Sequence, residues 1–467
     1  MTGGPLSASA VLDMTRHFNR IKNVSATEAT VEPGVFYRNF EKETVRHNAF
    51  LPSYPASREI CTLGGMIANN AGGEKTLAYG KTDEYIKEIK IVLADGNEYA
   101  VKPLAKSELE QSIRKHTFEG KLYREIYNLL DTNHDIIARA KPNVSKNSAG
   151  YALWNIWDGK TFDLTKLFVG SQGTLGIITE ATVRLVSPQK HRTLLVIFVK
   201  NLKNLGELIN VVLKEKPESF ESFDDHSLKL ALRYIWEIIA LISPKNIFSL
   251  AWQFLPEAWM VVTGGAPKLI LLAEFTSHSA KETTAKARRA KAAVKKFGMK
   301  TRITTSEEEA KKYVVIRRES FNLLRHHLKN EQTIPCIDDM IVAPEQLPQF
   351  LPEVEAILQR YKLTYTIAGH IGDGNFHIIP LMRLEDPKTR VVIPKLMDEI
   401  YTLVLRYGGS ITAEHNDGLL RGPYLKQMYG AEIYALFEKI KTICDPHGIF
   451  NPGKKVGGTM QYALDHL

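Results

Sequence analysis

The spacing of apolar positions changes near residue 190 and divides the chain into two regions. In the first region, short β-branched runs alternate with glycine-rich loops, a pattern typical of strands joined by turns. The clearest turn is Asp95-Gly96-Asn97, which predicts a hairpin. Strands are predicted at 11–13, 29–31, 88–93, 98–101 and 182–186, and a helix near 35–47. The pattern therefore predicts a β-rich first domain over residues 1–188.

Longer periodic segments fill the second region, where apolar strands alternate with amphipathic helices. Strands are predicted at 194–199, 269–274, 333–342 and 365–382. Helices are predicted at 202–213, 280–297, 308–328, 347–360, 392–407 and 424–444. This region is therefore predicted to be an α+β domain over 189–447, followed by a tail, 448–467, that returns to the first domain.

The charge balance narrows the choice of partners. The 467 residues include 61 lysines and arginines and 52 aspartates and glutamates, a net charge of +9. A charge this diffuse suits an acidic substrate, a nucleotide or an anionic membrane face, and it is too thinly spread to indicate a nucleic-acid partner. The apolar segment 232–262 is interrupted by charges and by Pro244, so it does not predict a membrane span. A pair of core helices and a surface that contacts lipid or a partner both remain open for it.

The cysteines exclude two kinds of site. Cys61, Cys336 and Cys444 are far apart in sequence, and none forms a CxxC pair. A zinc ribbon or an iron–sulfur cluster within this chain is therefore not expected. Sparse, odd-numbered cysteines favour a reducing cytoplasm, with peripheral attachment to the inner face of the membrane left open.

The first chemical signal is a glycine-rich loop at 62–73, where two glycine pairs bracket Met66-Ile67-Ala68-Asn69-Asn70-Ala71. Glycine lets a backbone approach a ligand closely and lets successive N–H groups point at one anion. The chain lacks both a P-loop and a GxGxxG fingerprint at this place. A phosphate-bearing cofactor and a simple tight turn both remain open. A second glycine loop, 170–179, runs into an apolar strand, and the pair predicts a ligand that lies between them.

These loops resemble the FAD-binding domain of the vanillyl-alcohol-oxidase/p-cresol-methylhydroxylase superfamily. The family pattern "GGxIAxNAGG…YG…D" matches residues 64–73, 79–80 and 83, and "GSxGTLGIIT" matches 170–179. Only Thr2-Gly3-Gly4-Pro5 matches the family's first diphosphate loop, so the first part of this domain is predicted to be missing. The resemblance implies that FAD is held by Thr2, Gly3, Gly4, Pro5, Gly64, Gly65, Asn69, Gly72, Gly73, Tyr79, Gly80, Gly173, Thr174, Gly176, Ile177, Ile178 and Asn451.

The second chemical signal is a pair of histidine motifs, at 369–377 and 408–415. In the first, a Gly-Asp-Gly-Asn turn between two predicted strands lets the imidazoles of His370 and His377 converge. The second ends in Glu414 and His415. Two histidines and one carboxylate form a common divalent-metal set that leaves positions open for a substrate. From spacing alone, structural histidines are an equal alternative.

Both motifs resemble the C-terminal domain of FAD-linked 2-hydroxyacid dehydrogenases, which act on D-lactate, glycolate or D-2-hydroxyglutarate. "GHxGDGNxH" matches 369–377, "GGSIxxEH" matches 408–415, and Arg317-Arg318-Glu319-Ser320 resembles the family's Arg-Glu segment. The resemblance implies that His370, His377 and Glu414 bind zinc, iron or manganese, and that His415 is the base. It also implies that Arg318 and Arg421 bind the substrate carboxylate and that Asn375 orients the substrate. Asn416 stands where the family usually has glycine.

The expected fold is thus α+β: a p-cresol-methylhydroxylase-type FAD-binding domain without its first part, then an α+β FAD-linked oxidase C-terminal domain that caps the substrate. The expected function is oxidation of a small D-2-hydroxy acid by hydride transfer to FAD. Electrons would then pass to a separate iron–sulfur protein, quinone or flavoprotein. The alternatives are a flavin-poor binding or scaffold subunit of an electron-transfer complex and a metal-independent flavin alcohol oxidase.

Overall fold

The computed structural model describes residues 10–234, 236–237, 267–327 and 332–466. The chain divides into two units, Met1–Pro188 with Ser410–Leu467, and Gln189–Gly409. The predicted cofactor residues Thr2, Gly3, Gly4 and Pro5 and most of the segment 232–262 lie outside the described residues. Among the helices that are described, none has the length and apolar character needed to cross a membrane.

The described part of the first unit contains a five-stranded antiparallel sheet in the order β1-β2-β7-β3-β4. Its strands are β1 Ile21–Val24, β2 Glu28–Val31, β3 Ile86–Val92, β4 Glu98–Val101 and β7 Ile177–Arg184. Two short strands, β5 Leu104–Ala105 and β6 Thr161–Phe162, form a separate pair. The predicted hairpin is present as β3 and β4, because Asp95-Gly96-Asn97 supplies the turn and Gly96 takes a left-handed φ of 79°.

The strand predicted at 11–13 is wrong. The Asp13 side chain accepts the Thr15 N–H at 3.0 Å and caps a short helix, since aspartate competes well for free helical N–H groups. The helices in this part of the first unit are Met14–His17, Tyr37–Arg46, Leu63–Asn69, Thr76–Tyr79, Lys106–Ile113, Phe118–Thr132, His134–Ala140 and Thr165–Phe168.

Within its described residues, the second unit holds an eight-stranded antiparallel sheet. Its order is β11-β8-β10-β9-β14-β15-β12, and β13 also pairs with β15. The strands are β8 His191–Val199, β9 Ser219–Asp224, β10 Leu269–Ser277, β11 Lys300–Ile303, β12 Gln332–Thr333, β13 Met340–Ile341, β14 Thr364–His370 and β15 Asn375–Met382. The helices are Leu205–Leu213, Asp225–Arg233, Ala280–Val294, Glu307–His327, Leu347–Arg360 and Pro387–Arg406.

The chain returns to the first unit at Ser410, earlier than the predicted tail at 448. The helices of this return are Gly418–Arg421, Leu425–Cys444 and Met460–Asp465, and the second is interrupted at Gly430, where φ is 80°. The apolar face of Leu425–Cys444 explains why the return to the first unit begins before residue 448. Its Ile433, Phe437 and Ile440 belong to the same core as Ile126 of the first unit, so burying them requires that unit.

A buried carboxylate links three strands of the first sheet and makes the sheet sensitive to acid. Glu180 accepts hydrogen bonds from Lys22 and Lys90, the second at 2.9 Å. Burial alone would raise the pKa of Glu180, but the two lysines lower it below its ordinary value. The pairing therefore stabilises the fold above the ordinary carboxyl pKa, and this stability is lost as the pH falls through the lower folded value.

We expect Glu180→Gln to reduce the free energy of unfolding by about 0.5–1 kcal/mol near neutral pH, because both lysines are partly exposed. The difference from the wild type should shrink below about pH 4, where the wild-type carboxyl also becomes neutral. Urea midpoints measured from about pH 7 to pH 3 test this. Glu28→Gln, which removes a half-exposed carboxylate of the same sheet, is the control. A difference that grows as the pH falls would contradict the assignment.

Candidate active site

The two predicted glycine loops lie side by side in the first unit. The Gly170 N–H donates to the Ile67 carbonyl at 2.8 Å, and the Gln172 N–H donates to the Ala68 carbonyl at 2.8 Å. The structure therefore brings together the two segments between which the sequence predicts a ligand.

Most glycines of these loops are needed for close packing of the protein against itself. An added Cβ would lie within 3 Å of other protein atoms at Gly64, Gly72, Gly73, Gly80 and Gly176. At Gly64, for example, it would be 2.5 Å from Cβ of Pro33. Gly173 differs: its φ is 69°, and an added Cβ would meet nothing within 4 Å. Gly65 has only Thr62 Oγ1 nearby, at 3.3 Å. A ligand can thus approach the backbone at Gly65 and Gly173, which fits the cofactor prediction at those two positions.

Several other predicted cofactor residues hold the loops in shape. The Thr174 hydroxyl is buried, lies 2.7 Å from the Tyr151 hydroxyl and donates to the Ser171 carbonyl. Asn451 donates from Nδ2 to the Gln172 carbonyl at 2.7 Å, which ties the C-terminal segment to the second loop. Ile177 and Ile178 begin β7 opposite Val92 and Ile91, and Tyr79 packs edge-on against Phe50.

Asn416 links the two glycine loops. Its Nδ2 donates to the Gly170 carbonyl at 2.9 Å and to the Asn69 carbonyl at 3.2 Å. Its φ is 65°, a left-handed conformation that glycine adopts freely and that asparagine tolerates better than most residues. Asparagine therefore fits this backbone position, and its side chain is directed into the contacts with the two loops.

We expect Asn416→Gly to cost about 1–2 kcal/mol of unfolding free energy, because the buried Gly170 carbonyl and the partly buried Asn69 carbonyl lose a donor while the backbone stays relaxed. Asn416→Ala should cost about 1 kcal/mol more, since alanine also has to adopt the left-handed conformation. Chemical denaturation of both variants gives their unfolding free energies and therefore shows which variant is less stable. An alanine variant as stable as the glycine variant would contradict this account.

The predicted residues Glu414, His415 and Arg421 are also in the first unit. The Glu414 carboxylate is buried, and its Oε2 lies 3.4 Å from Nζ of Lys146, whose side chain is 1% exposed. His415 is one-third exposed, and its Nε2 lies 4.0 Å from Glu414 Oε1. Arg421 is fully buried and donates to the Asn416 carbonyl at 3.2 Å. Asn69 Nδ2 donates to the Glu414 carbonyl at 3.0 Å, so this segment is bonded directly to the first glycine loop.

Sequence reasoning missed the part that Lys81 takes in the same region. Its ammonium group donates to the Asn147 carbonyl at 2.9 Å and to the Ala413 carbonyl at 3.0 Å. Lys81 belongs to a Gly-Lys-Thr triplet that fails as a P-loop, and nothing else in the local sequence distinguishes it from a surface lysine. Only the tertiary contacts reveal a buried cation that joins segment 145–150 to segment 410–417.

In the second unit, His370 and His377 converge as predicted. They lie on the neighbouring antiparallel strands β14 and β15, and their ring centroids are 5.2 Å apart with planes at 89°. The intervening turn requires Gly374, whose φ is 76° and whose added Cβ would be 1.9 Å from the Val342 carbonyl oxygen. The hairpin therefore presents both imidazoles to one place.

Each imidazole is held by a carboxylate at Nδ1. His370 Nδ1 lies 2.6 Å from Glu221 Oε1, and His377 Nδ1 lies 3.0 Å from Asp338 Oδ1. Both carboxylates are buried. Metal-binding histidines commonly have this arrangement, because a partner at Nδ1 orients the ring and directs Nε2 to the metal. Both rings are therefore held in the manner of metal-binding histidines, and their residue type fits the predicted metal. Sequence reasoning missed both carboxylates as histidine partners, because no local signal links Glu221 to His370 or Asp338 to His377.

Asn375 is fully buried beside the same hairpin. Its Nδ2 donates to Asp339 Oδ1 at 3.1 Å and to the Met340 carbonyl at 3.1 Å. Among the described residues, its Oδ1 has no hydrogen-bond partner. A buried carbonyl oxygen without a donor is costly, and a ligand that donates a hydrogen bond to it would remove that cost. This fits the prediction that Asn375 contacts a substrate.

The structure brings Arg317 to the histidine pair through Glu221. Its guanidinium group forms an ion pair with Glu221, the carboxylate that also holds His370, and its side chain is 11% exposed. The predicted substrate residue, Arg318, is next to it on the helix Glu307–His327. Adjacent helical residues point about 100° apart, so the two arginines have different surroundings. The local sequence contains no signal that distinguishes Arg317 from Arg318 as the arginine that binds the substrate.

Two family models match the chain. One, described as FAD binding domain, matches residues 1–101, and the other, FAD linked oxidases, C-terminal domain, matches residues 188–455. The second match covers more than half of the 467 residues. The chain belongs to the FAD-linked oxidase family.

Curated members of the family are similar at moderate identity. D-2-hydroxyglutarate dehydrogenase of Pseudomonas putida is 27% identical over 97% of this chain and 44% of its own length. Glycolate oxidase subunit GlcD of Bacillus subtilis is 28% identical over 96% of this chain and 80% of its own length. The chain therefore spans less than half of the D-2-hydroxyglutarate dehydrogenase and most of the glycolate oxidase subunit.

Solved structures confirm the predicted fold class. The 4-ethylphenol oxidase of Gulosibacter chungangensis has a TM-score of 0.63 at 15% identity, over 96% of this chain and 80% of that one. A p-cresol methylhydroxylase has a TM-score of 0.60 at 15% identity, over 94% and 78%. With the family models, they identify a p-cresol-methylhydroxylase-type FAD-binding fold joined to a FAD-linked oxidase C-terminal domain.

Proposed function

We propose that the protein is a FAD-dependent dehydrogenase that oxidises a small D-2-hydroxy acid, of the D-lactate, glycolate or D-2-hydroxyglutarate class, to the 2-oxo acid. The observation that carries the proposal is the histidine pair, in which Glu221 and Asp338 hold His370 and His377 at Nδ1. Such a pair prepares two imidazoles for a metal. Family relatives bear names of dehydrogenases and oxidases of these acids.

The cofactor part of the proposal assigns FAD to the two glycine loops of the first unit. The open backbone at Gly65 and Gly173 supports it, as does the match to a FAD binding domain. The remaining predicted residues, from Gly64 to Ile178 and at Asn451, would shape the cradle. When bound, FAD would accept the hydride from the α-carbon of the substrate.

The metal part assigns zinc, iron or manganese to His370, His377 and Glu414, with Glu414 added from the motif resemblance. When bound, the metal would polarise the substrate hydroxyl group as a Lewis acid. The preference of imidazole and carboxylate ligands for these metals supports the choice of ions.

The substrate part assigns a task to each remaining side chain. Arg318 and Arg421 would pair with the substrate carboxylate, since a guanidinium group can donate two parallel hydrogen bonds to it. Oδ1 of Asn375 would accept a hydrogen bond from the substrate and fix its orientation. His415 would take the hydroxyl proton, because an imidazole titrates near neutral pH and its partial exposure admits a small molecule.

Reoxidation would need a separate acceptor, which we propose to be an iron–sulfur protein, a quinone or a flavoprotein. We further propose that this protein is cytoplasmic and can attach peripherally to the inner face of the membrane. Nucleic acid is not among the proposed partners, because the net charge of +9 is spread over 467 residues.

Anaerobic titration of the FAD-loaded protein tests the proposed function. We expect D-lactate, glycolate or D-2-hydroxyglutarate to bleach the flavin absorption band, and L-lactate to have no effect. Removing metal with a chelator should stop the bleaching, and adding zinc or manganese should restore it. Bleaching that persists without metal would support the metal-independent flavin oxidase instead. A protein that takes up no FAD would support the scaffold subunit.

A further inference from the structure

Glu221 is shared between a histidine and an arginine in the second unit. It lies on β9, is 5% exposed, and accepts from His370 Nδ1 at 2.6 Å through Oε1. Its other oxygen, Oε2, pairs with the Arg317 guanidinium group. The strand register supports this arrangement: β9 pairs with β14 one residue before His370, where Ser222 faces Gly369.

The two contacts constrain one another. A carboxylate that binds a planar guanidinium group and an imidazole at the same time has little freedom to rotate, because each oxygen is already engaged. The ring of His370 is then held at Nδ1, and its Nε2 direction depends on where Arg317 holds the carboxylate. His377 has its own partner, Asp338, and so does not share this dependence on Glu221.

We propose that Arg317 and Glu221 are positioning residues that set the metal affinity of His370: Arg317 fixes the Glu221 carboxylate, and Glu221 orients the imidazole. The inference rests on the proposed function, in which His370 is a metal ligand. It assigns to Arg317 a task different from that of Arg318, its neighbour on the same helix.

The zinc affinity of the purified protein tests whether Arg317 and Glu221 act on His370. It can be measured by competition with a chromophoric chelator. Glu221→Gln should weaken the zinc Kd about 10–100-fold, since the hydrogen-bonded orienting group is altered. Arg317→Met should weaken it about threefold or more, through the loosened carboxylate. Arg318→Met, the matched control, should leave it unchanged. The Glu221→Gln/Arg317→Met double variant should be no worse than Glu221→Gln alone, because both changes act through one carboxylate.

Two further variants separate positioning from general loss of structure. Arg317→Lys and Glu221→Asp keep the charges and should recover part of the affinity, while circular dichroism and urea midpoints report whether each variant is folded. Equal zinc Kd values for the wild type and folded Glu221→Gln, or equal losses in Arg317→Met and Arg318→Met, would overturn the inference and leave the proposed metal site standing. A wild-type protein that binds no zinc or manganese would overturn the metal site and the inference together.

Discussion

Replacing His415 by glutamine is expected to slow flavin reduction by the proposed hydroxy-acid substrate about 10²–10⁴-fold, with little change in FAD or metal content. Glutamine has a similar size and can still form hydrogen bonds, but it cannot take a proton. His415 is one-third exposed beside the buried Glu414, so the substitution should not disturb the core. Stopped-flow measurement of flavin bleaching gives the rate, and elemental analysis gives the metal content.

His377→Gln is the matched comparison for His415→Gln. It should remove most of the metal, because a proposed ligand held by Asp338 is lost. Wild-type rates of bleaching in the His415 variant would refute the base assignment. A loss of metal in that variant equal to the loss in His377→Gln would instead make His415 a ligand.

Asp417→Asn is expected to cost about 3–5 kcal/mol of unfolding free energy, because it leaves a buried ammonium group without its counter-charge. Lys455 and Asp417 both have fully buried side chains and meet at 2.9 Å. Lys455 also donates to the Gly150 carbonyl at 2.6 Å, and Asp417 Oδ2 accepts the Gly150 N–H at 2.9 Å. Burial holds the pKa of Lys455 below its ordinary value, although the neighbouring Asp417 carboxylate favours the charged form and acts in the opposite direction.

Lys455→Met in the Asp417→Asn background should restore part of the lost stability, because no buried charge then remains at this place. Urea denaturation of the two single variants and the double variant completes the cycle. A double variant whose loss equals the sum of the two single losses would show that the charges do not act as a pair.

The local motifs predicted much of the candidate site. The glycine loops, the hairpin with Gly374 and the histidine pair are all formed by short segments whose backbone geometry is encoded in place. Gly173 and Asn416 adopt left-handed conformations that most residues avoid, so glycine and asparagine indicate where such turns can form. Their spacing therefore predicts local geometry well.

Predictions from local sequence patterns were wrong where long-range packing determines the structure. The sequence order predicts that the helix at 424–444 belongs to the second domain, whereas the buried face of the observed helix Leu425–Cys444 lies in the core of the first unit. Residues 11–13 have the sequence pattern of a strand. The Asp13 side chain, however, accepts a hydrogen bond from the Thr15 N–H, and this contact makes Asp13 a helix cap.

The sequence by itself determined the family, the two glycine loops, the histidine hairpin and the order of most elements, because each depends on residues close together in the chain. Only the tertiary structure decided that Glu221 holds both His370 and Arg317, that Asn416 joins the glycine loops, and that Lys81 is buried. A carboxylate or an ammonium group carries no sequence signal for its partner, since the partner is chosen by strand register and burial across long stretches of chain.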